Sequence, residues 1–316
     1  MYNIAVVGAT GLIGRNILEI LSQRNFPVKR IVAFASKDSV GKIVKFGSEK
    51  LEVLELTEEN IARSQTDIAL FSAGGDVSKR YAPVFATLGA VVVDNSSAWR
   101  MNEGVPLVIP AVNPASVTMH SNIIANPNCS TIAAVVALAP LHKKFGLKRV
   151  VYSTYQAVSG AGMQGIYDLQ EGTTNKFPKP ICHNVIPLID KLDGSGYTLE
   201  EQKMINETKK ILGNDRIFVT ATCVRVPVYV GHAISINAEF YSKVTVNEVE
   251  NTLKSSPGIT LSDLPTPLEC SNGDTTYVGR IRRDEKENAI NMWVVADNLR
   301  RGAATNAVEI AELLIQ

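Results

Sequence analysis

The chain has 316 residues, 45% of them hydrophobic and 20% charged, with a formal net charge of +1. That length suits roughly two domains of about 100–200 residues, each with a sizeable core. The balanced charge leaves no basic footprint for nucleic acid and no acidic tail. Cys129, Cys182, Cys223 and Cys270 lie far apart with no C-x-x-C pair, so neither a metal site nor a disulfide framework is expected. The longest apolar stretch, Ala133 to Leu141, contains Pro140 and falls well short of the ~20 residues that span a bilayer. A strand-like segment follows Met1 almost at once and leaves no signal peptide to read. A cytoplasmic protein with no membrane partner is the expectation.

In chain order, Ile4 to Val7 is a short apolar run ending at Gly8. A helical pattern follows, with Ile13, Ile17, Ile20 and Leu21 on one face, and then a second apolar run from Arg30 to Ala35. Strand, Gly-rich turn, helix and strand make a βαβ unit, which implies a parallel sheet with a right-handed crossover. Ile68–Phe71, Val91–Val93, Leu107–Ile109 and Ile123–Ala125 are further predicted strands, apolar throughout as in sheets covered on both faces. After about residue 148 the runs lengthen: Lys148–Gln156, Ile217–Val226 and Ala233–Phe240. In the last, Ile234, Ile236, Ala238 and Phe240 alternate with Ser235, Asn237 and Glu239, the mark of an antiparallel or mixed sheet with one wetter face. Arg301 to Ile315 is predicted helical, with Ala304, Val308, Ala311 and Ile315 in one stripe. The fold class is α/β: a Rossmann-type doubly wound parallel sheet plus an α+β domain with a mixed sheet.

The turn Gly8-Ala-Thr-Gly11-Leu-Ile-Gly14 spaces three glycines three apart between strand and helix. Gly8 permits the tight turn, Gly11 lets the backbone approach a pyrophosphate, and Gly14 lets helix and strand pack closely. Beyond the second strand, Ser36, Lys37 and Asp38 lie where an adenosine ribose belongs. Asp38 favours the free hydroxyls of NAD and Lys37 the 2′-phosphate of NADP, so the two neighbours argue opposite ways.

Asn126-Pro-Asn-Cys-Ser-Thr131 precedes the predicted helix Ile132–Leu141 and places Cys129 at its start. The helix dipole and its unpaired N–H groups favour a thiolate there, and the same groups suit an oxyanion on a carbonyl joined to the sulfur. Arg225-Val-Pro-Val-Tyr-Val-Gly-His232 leads into the amphipathic strand. It brings a cation suited to clamping a carboxylate together with an imidazole suited to acid–base work. His142, in a Lys-rich helix end, reads as a cation complementing the dipole. Thr198 and Glu201 form a capping box, and Glu200 and Lys203 read, on spacing alone, as a solvated surface ion pair.

Taken together, Gly8–Gly14, Asn95–Arg100, Asn126–Thr131, Gln156–Gly162, Glu200–Lys203, Arg225–His232 and Asp297–Gly302 resemble the aspartate-semialdehyde dehydrogenase family over essentially the whole chain. The resemblance implies that Cys129 attacks the acyl phosphate of aspartyl-4-phosphate, and that NADPH reduces the resulting thioester. It implies a proton shuttle at His232 and an orienting role for Gln156. Arg225 would bind the substrate carboxylate, Glu200 its amino group, and Arg100, Lys203 and Asn128 the phosphate. Gly8, Thr10, Gly11, Leu12, Ile13, Gly14, Ser159, Gly160 and Asn298 would line the cofactor, NADP, with NAD admitted by Asp38 where many relatives carry arginine. A homodimer or dimer of dimers is implied. The division is then 1–127 with 299–316 for the dinucleotide and 128–298 for catalysis and dimerisation. An N-acetylglutamyl-phosphate reductase shares the chemistry but usually sets its cysteine between Gly and Tyr, whereas Cys129 lies between Asn128 and Ser130. A malonyl-CoA reductase and a non-catalytic nucleotide-binding regulator are the other readings; the second predicts a missing nucleophile or histidine.

Overall fold

The computed structural model describes residues 1–315, and the chain divides into two compact units, 1–127 with the segment from Ala303 onward, and Asn128–Gly302. In the first unit β1 (Tyr2–Val7), α1 (Leu12–Gln23) and β2 (Val28–Ala35) form the opening βαβ, and β3 (Ile43–Phe46) and β4 (Glu49–Glu55) a hairpin. There follow α2 (Glu58–Ser64), β5 (Ile68–Phe71), α3 (Gly75–Thr87), β6 (Val91–Asp94) and β7 (Ile123–Ala125). The strands lie in the order β3-β4-β2-β1-β5-β6-β7, every pair parallel except β3 with β4. Without the β3 edge this is the 3-2-1-4-5-6 order of dinucleotide folds, with the direction of winding reversing between β1 and β5. Ile4–Val7 and Ile68–Phe71 are buried throughout, so these central strands carry no polar side to face water.

One sequence expectation changes here. Leu107–Ile109 is not a strand; Leu107 makes a single parallel bridge to Ala125. Pro106 and Pro110 bracket the segment, and the Ile109 N–H donates to the Asn113 side chain at 2.8 Å instead of to a neighbouring strand. The β3–β4 hairpin, in turn, has no counterpart in the sequence reading.

In the second unit come α4 (Cys129–Phe145), β8 (Leu147–Gln156), α5 (Met163–Glu171), α6 (Leu199–Leu212), β9 (Phe218–Arg225) and β10 (His232–Phe240). They are followed by α7 (Val246–Lys254), β11 (Ile259–Leu261), α8 (Pro267–Cys270), β12 (Thr276–Arg283) and β13 (Ala289–Ala296). The sheet order is β11-β12-β13-β10-β8-β9, with β8–β9 and β11–β12 parallel and the rest antiparallel. Ile234, Ile236, Ala238 and Phe240 point from β10 into a core shared with Leu138 and Leu141 of α4, while Ser235 and Asn237 stay half-exposed. His142 accepts the Leu147 N–H through Nδ1 at 3.0 Å, and burial lowers its pKa. It closes the helix end as a neutral acceptor rather than as the expected cation.

A π-helical turn, Arg300–Ala304, leads to α9 (Thr305–Leu313), so the expected helix from Arg301 opens with a wide turn. Ala304, Val308 and Ala311 are fully buried, and α9 packs against α1 within the first unit. Right-handed crossovers put α1 on one face of that sheet and α2 with α3 on the other.

Candidate active site

In the first unit the glycine turn has the geometry a dinucleotide needs. Gly8 has φ +83°, and a Cβ there would come within 2.8 Å of the Ser72 backbone at the end of β5. A Cβ on Gly14 would stand 2.2 Å from the Gly8 carbonyl oxygen, so strand and helix meet only because both positions lack one. The N-terminus of α1 starts from Gly11 with no side-chain cap and no acidic residue in its first turn, leaving its dipole open to an anion. Ser36, Lys37 and Asp38 stand exposed where β2 passes into the short turn Lys37–Ser39. Arg100 is buried in the same unit and donates to the carbonyls of Asn126 (2.9 Å) and Asn95 (2.8 Å).

In the second unit Cys129 is the first residue of α4, half-buried, behind Asn128 as N-cap. The Asn128 Oδ1 accepts from the N–H groups of Ser130 (3.0 Å) and Thr131 (3.3 Å). Those are N–H groups that the sequence reading offered to a thiolate and an oxyanion; here the cap occupies them, and the dipole's orientation is what the helix supplies. Asn128 is itself fixed by two carboxylates of α6: its N–H donates to Glu207 at 2.7 Å, and its Nδ2 to Glu200 at 2.9 Å. On another side Gly302 presses so close that a Cβ there would lie 3.0 Å from that of Cys129.

Glu200 is the hub of this unit rather than half of a solvated ion pair. One oxygen accepts from Asn128 and from Gln156 Nε2 (3.1 Å), and the other from Lys203 Nζ (3.0 Å), which also reaches Asp190 at 3.1 Å. Burial pushes the Glu200 carboxyl up, but Lys203 and the Asn128 and Gln156 donors outweigh it and hold it at about 2. Gln156, the last residue of β8, takes a hydrogen bond from Thr154 at 3.0 Å, which fixes which end of its carboxamide faces Glu200.

Gln156 and Arg225 are directly paired across β8 and β9. The backbone of the next residue contacts both remaining groups: the Ala157 carbonyl accepts from Arg225 Nη1 at 2.7 Å, and the Ala157 N–H donates to Nδ1 of His232 at 3.0 Å. A backbone N–H can only donate, so the neutral imidazole carries its proton on Nε2. Nε2 of His232 and Nε of Arg225 are buried without a partner. Burial, and then the neighbouring Arg225, push His232 down to about 3. Gly160 lies against both: a Cβ would be 2.9 Å from Arg225 Nη1 and 3.3 Å from His232 Nε2. Ser159 is bonded to Asn298, whose Oδ1 accepts the Gly231 N–H at 2.8 Å.

Glu207 and Asp168 escaped the sequence reading, and Glu201 was expected only as a capping residue. Glu207 lies seven positions after Glu200, two turns along one helix face, and that spacing is the signal for it. Glu201 completes its capping box and also takes the Cys223 N–H of β9 at 2.9 Å. Asp168 takes the N–H groups of Asn175, Lys176 and Phe177 and the Thr173 hydroxyl, and Phe177 lies under the Arg225 guanidinium at 5.8 Å. Nothing local in the sequence marks Asp168. Among the described residues no cluster of three or more His, Cys, Asp or Glu stands ready for a metal, and no helix is long and apolar enough to cross a membrane.

A glycine turn of dinucleotide geometry in one unit, and in the other a cysteine at a helix start together with acid, amide, guanidinium and imidazole groups of the same unit, fit a nucleotide-dependent dehydrogenase. Family models agree: residues 3–120 match the semialdehyde dehydrogenase NAD binding domain, and 138–301 the semialdehyde dehydrogenase dimerisation domain. Aspartate-semialdehyde dehydrogenase of Aquifex aeolicus is 50% identical over 100% of this chain and 98% of its own, and that of Bacillus subtilis 44% identical over 99% and 97%. A crystal structure of aspartate semialdehyde dehydrogenase II complexed with ASA from Vibrio cholerae superposes with a TM-score of 0.97 at 43% identity, covering 100% of this chain and 98% of that one. The chain belongs to the aspartate-semialdehyde dehydrogenase family.

Proposed function

We infer that the chain reduces L-aspartyl-4-phosphate to L-aspartate 4-semialdehyde with NADPH, releasing phosphate, in the biosynthesis of lysine, threonine and methionine. The observation that carries this reading is the grouping, in one unit, of Cys129 with an anion at Glu200, a cation at Arg225 and an imidazole at His232. It suits a substrate bearing ammonium, carboxylate and an activated acyl group. The uncapped α1 turn from Gly8 to Gly14, with Thr10, Leu12 and Ile13, holds the dinucleotide, and bound NADPH supplies the hydride.

Arg225 takes the substrate α-carboxylate and Glu200 its ammonium, which places the acyl carbon over Cys129. Lys203 and Asn128 in the second unit, and Arg100 in the first, serve the phosphate. The Cys129 thiolate adds to the acyl carbon, the C–O bond to phosphate breaks, and a thioester remains. After hydride addition the C–S bond breaks, and the electron pair returns to sulfur as the aldehyde leaves. Gln156 orients the acyl oxygen. His232, neutral and protonated on Nε2, donates a hydrogen bond to that oxygen while it carries negative charge, and so acts as a fixed donor more than as the shuttle first expected. The α-ammonium partner Glu200 disfavours an N-acetylated substrate. The chain works as a homodimer in the cytoplasm.

The test is NADPH formation from L-aspartate semialdehyde and phosphate. Cys129→Ala is expected to abolish it while binding of NADP persists; normal turnover in that variant would overturn the thioester route.

A further inference from the structure

Arg100 owes its place to two backbone carbonyls at the ends of adjacent strands. Asn95 directly follows β6 and Asn126 directly follows β7, and both carbonyls accept from the one guanidinium. The lateral spacing of the two strand ends therefore sets where the guanidinium sits.

The two strand ends are tied by their own side chains. Asn126 Nδ2 donates to the Asn95 carboxamide oxygen and, at 3.3 Å, to the Ala303 carbonyl. Its Oδ1 accepts from Asn306 Nδ2 of α9 at 2.6 Å, and that same amide reaches the Val108 carbonyl at 3.0 Å. The Asn126 N–H adds a bond to the Asp94 carbonyl at 2.8 Å. Asn126 and Asn306 are both 0% exposed, so no water competes for these groups. A buried carboxamide with both ends engaged is rigid, and here its rigidity is spent between the two acceptors of one arginine.

We propose that Asn126, braced by Asn306, is a positioning residue for phosphate: it locks the Asn95 and Asn126 carbonyls at the spacing that aims the Arg100 guanidinium. This rests on the assignment of Arg100 to phosphate made above. The chain of contact runs α9, Asn306, Asn126, Asn95, Arg100, and it lies wholly within the first unit. Asn126 touches no reacting atom.

The experiment follows the phosphorylating oxidation of aspartate semialdehyde with inorganic phosphate as the varied substrate. Asn126→Ala and Asn306→Ala are expected to raise the KM for phosphate about tenfold and about threefold, the range given by one lost buried hydrogen bond. The KM values for NADP and semialdehyde should stay within about twofold of wild type. Should Asn126→Ala fail to fold, Asn306→Ala carries the test. Equal losses against all three substrates would overturn the proposal in favour of general support of the fold. Arg100→Ala is the control. If it raises the phosphate KM while both asparagine variants do not, positioning by Asn126 is wrong and the Arg100 assignment stands. If Arg100→Ala leaves the phosphate KM unchanged, that assignment fails and takes the proposal with it.

Discussion

The Ala157 N–H donates to Nδ1 of His232 at 3.0 Å while the Ala157 carbonyl accepts from Arg225, so the backbone of one residue orients both groups. The tautomer of the histidine follows from the main chain alone.

A donor role for His232 separates two substitutions. His232→Ala should lower kcat by about 10²–10³, the usual cost of removing one oxyanion donor, whereas His232→Gln, which can donate through its amide, should retain more. Steady-state kinetics decide it, and an alanine variant as active as the glutamine variant would contradict the role. Stability gives a second readout. The ordinary His pKa of 6.5 falls to about 3 in the folded chain, so between those values the unfolded state binds more protons. Stability should be level above about pH 6.5 and decline as pH falls toward 3, and His232→Gln should flatten that decline in denaturant titrations at pH 7 and pH 5.

Gly302 is held against Cys129, and a methyl group there would meet the cysteine Cβ at 3.0 Å. Gly302→Ala should displace the nucleophile and lower kcat by tenfold to about 10²-fold, as small misplacements at reacting centres do. Slower alkylation of Cys129 with NADP affinity unchanged would confirm a local effect; wild-type kinetics would show that the site relaxes freely.

Asp38 stands exposed beside Lys37 beyond β2; on the reading proposed above, its charge would oppose a 2′-phosphate. Asp38→Arg should raise the ratio of kcat/KM for NADP over NAD by about tenfold or more, equivalent to one gained ionic contact. An unchanged ratio would move the recognition to Lys37 or to the backbone.

What was legible in the sequence was what neighbouring residues determine among themselves. Apolar runs marked the central strands of the first sheet, longer runs marked β8, β9 and β10 of the second but not β13, glycine spacing marked the turn after β1, and the polar stretch before Ile132 placed Cys129 at the start of α4. These depend on backbone sterics and on hydrogen bonds that span three or four residues. Leu107–Ile109 misled for the same reason in reverse, because an apolar run says nothing of whether its N–H groups find a strand or, as at Ile109, a side chain.

The tertiary structure alone decided the electrostatics. Glu200 and Lys203 look like any exposed pair three residues apart until Asn128, 72 residues away, and Gln156, 44 away, close over the carboxylate. The Asn126–Asn306 bond joins residues 180 apart, and no periodicity announces it. A hydrogen bond's worth depends on whether water is excluded from it, and exclusion is a property of packing, not of spacing. The sequence by itself determined that Cys129 begins a helix behind a dinucleotide turn. Folding determined that the helix cap consumes its nearest N–H groups and that His232 presents its proton on Nε2.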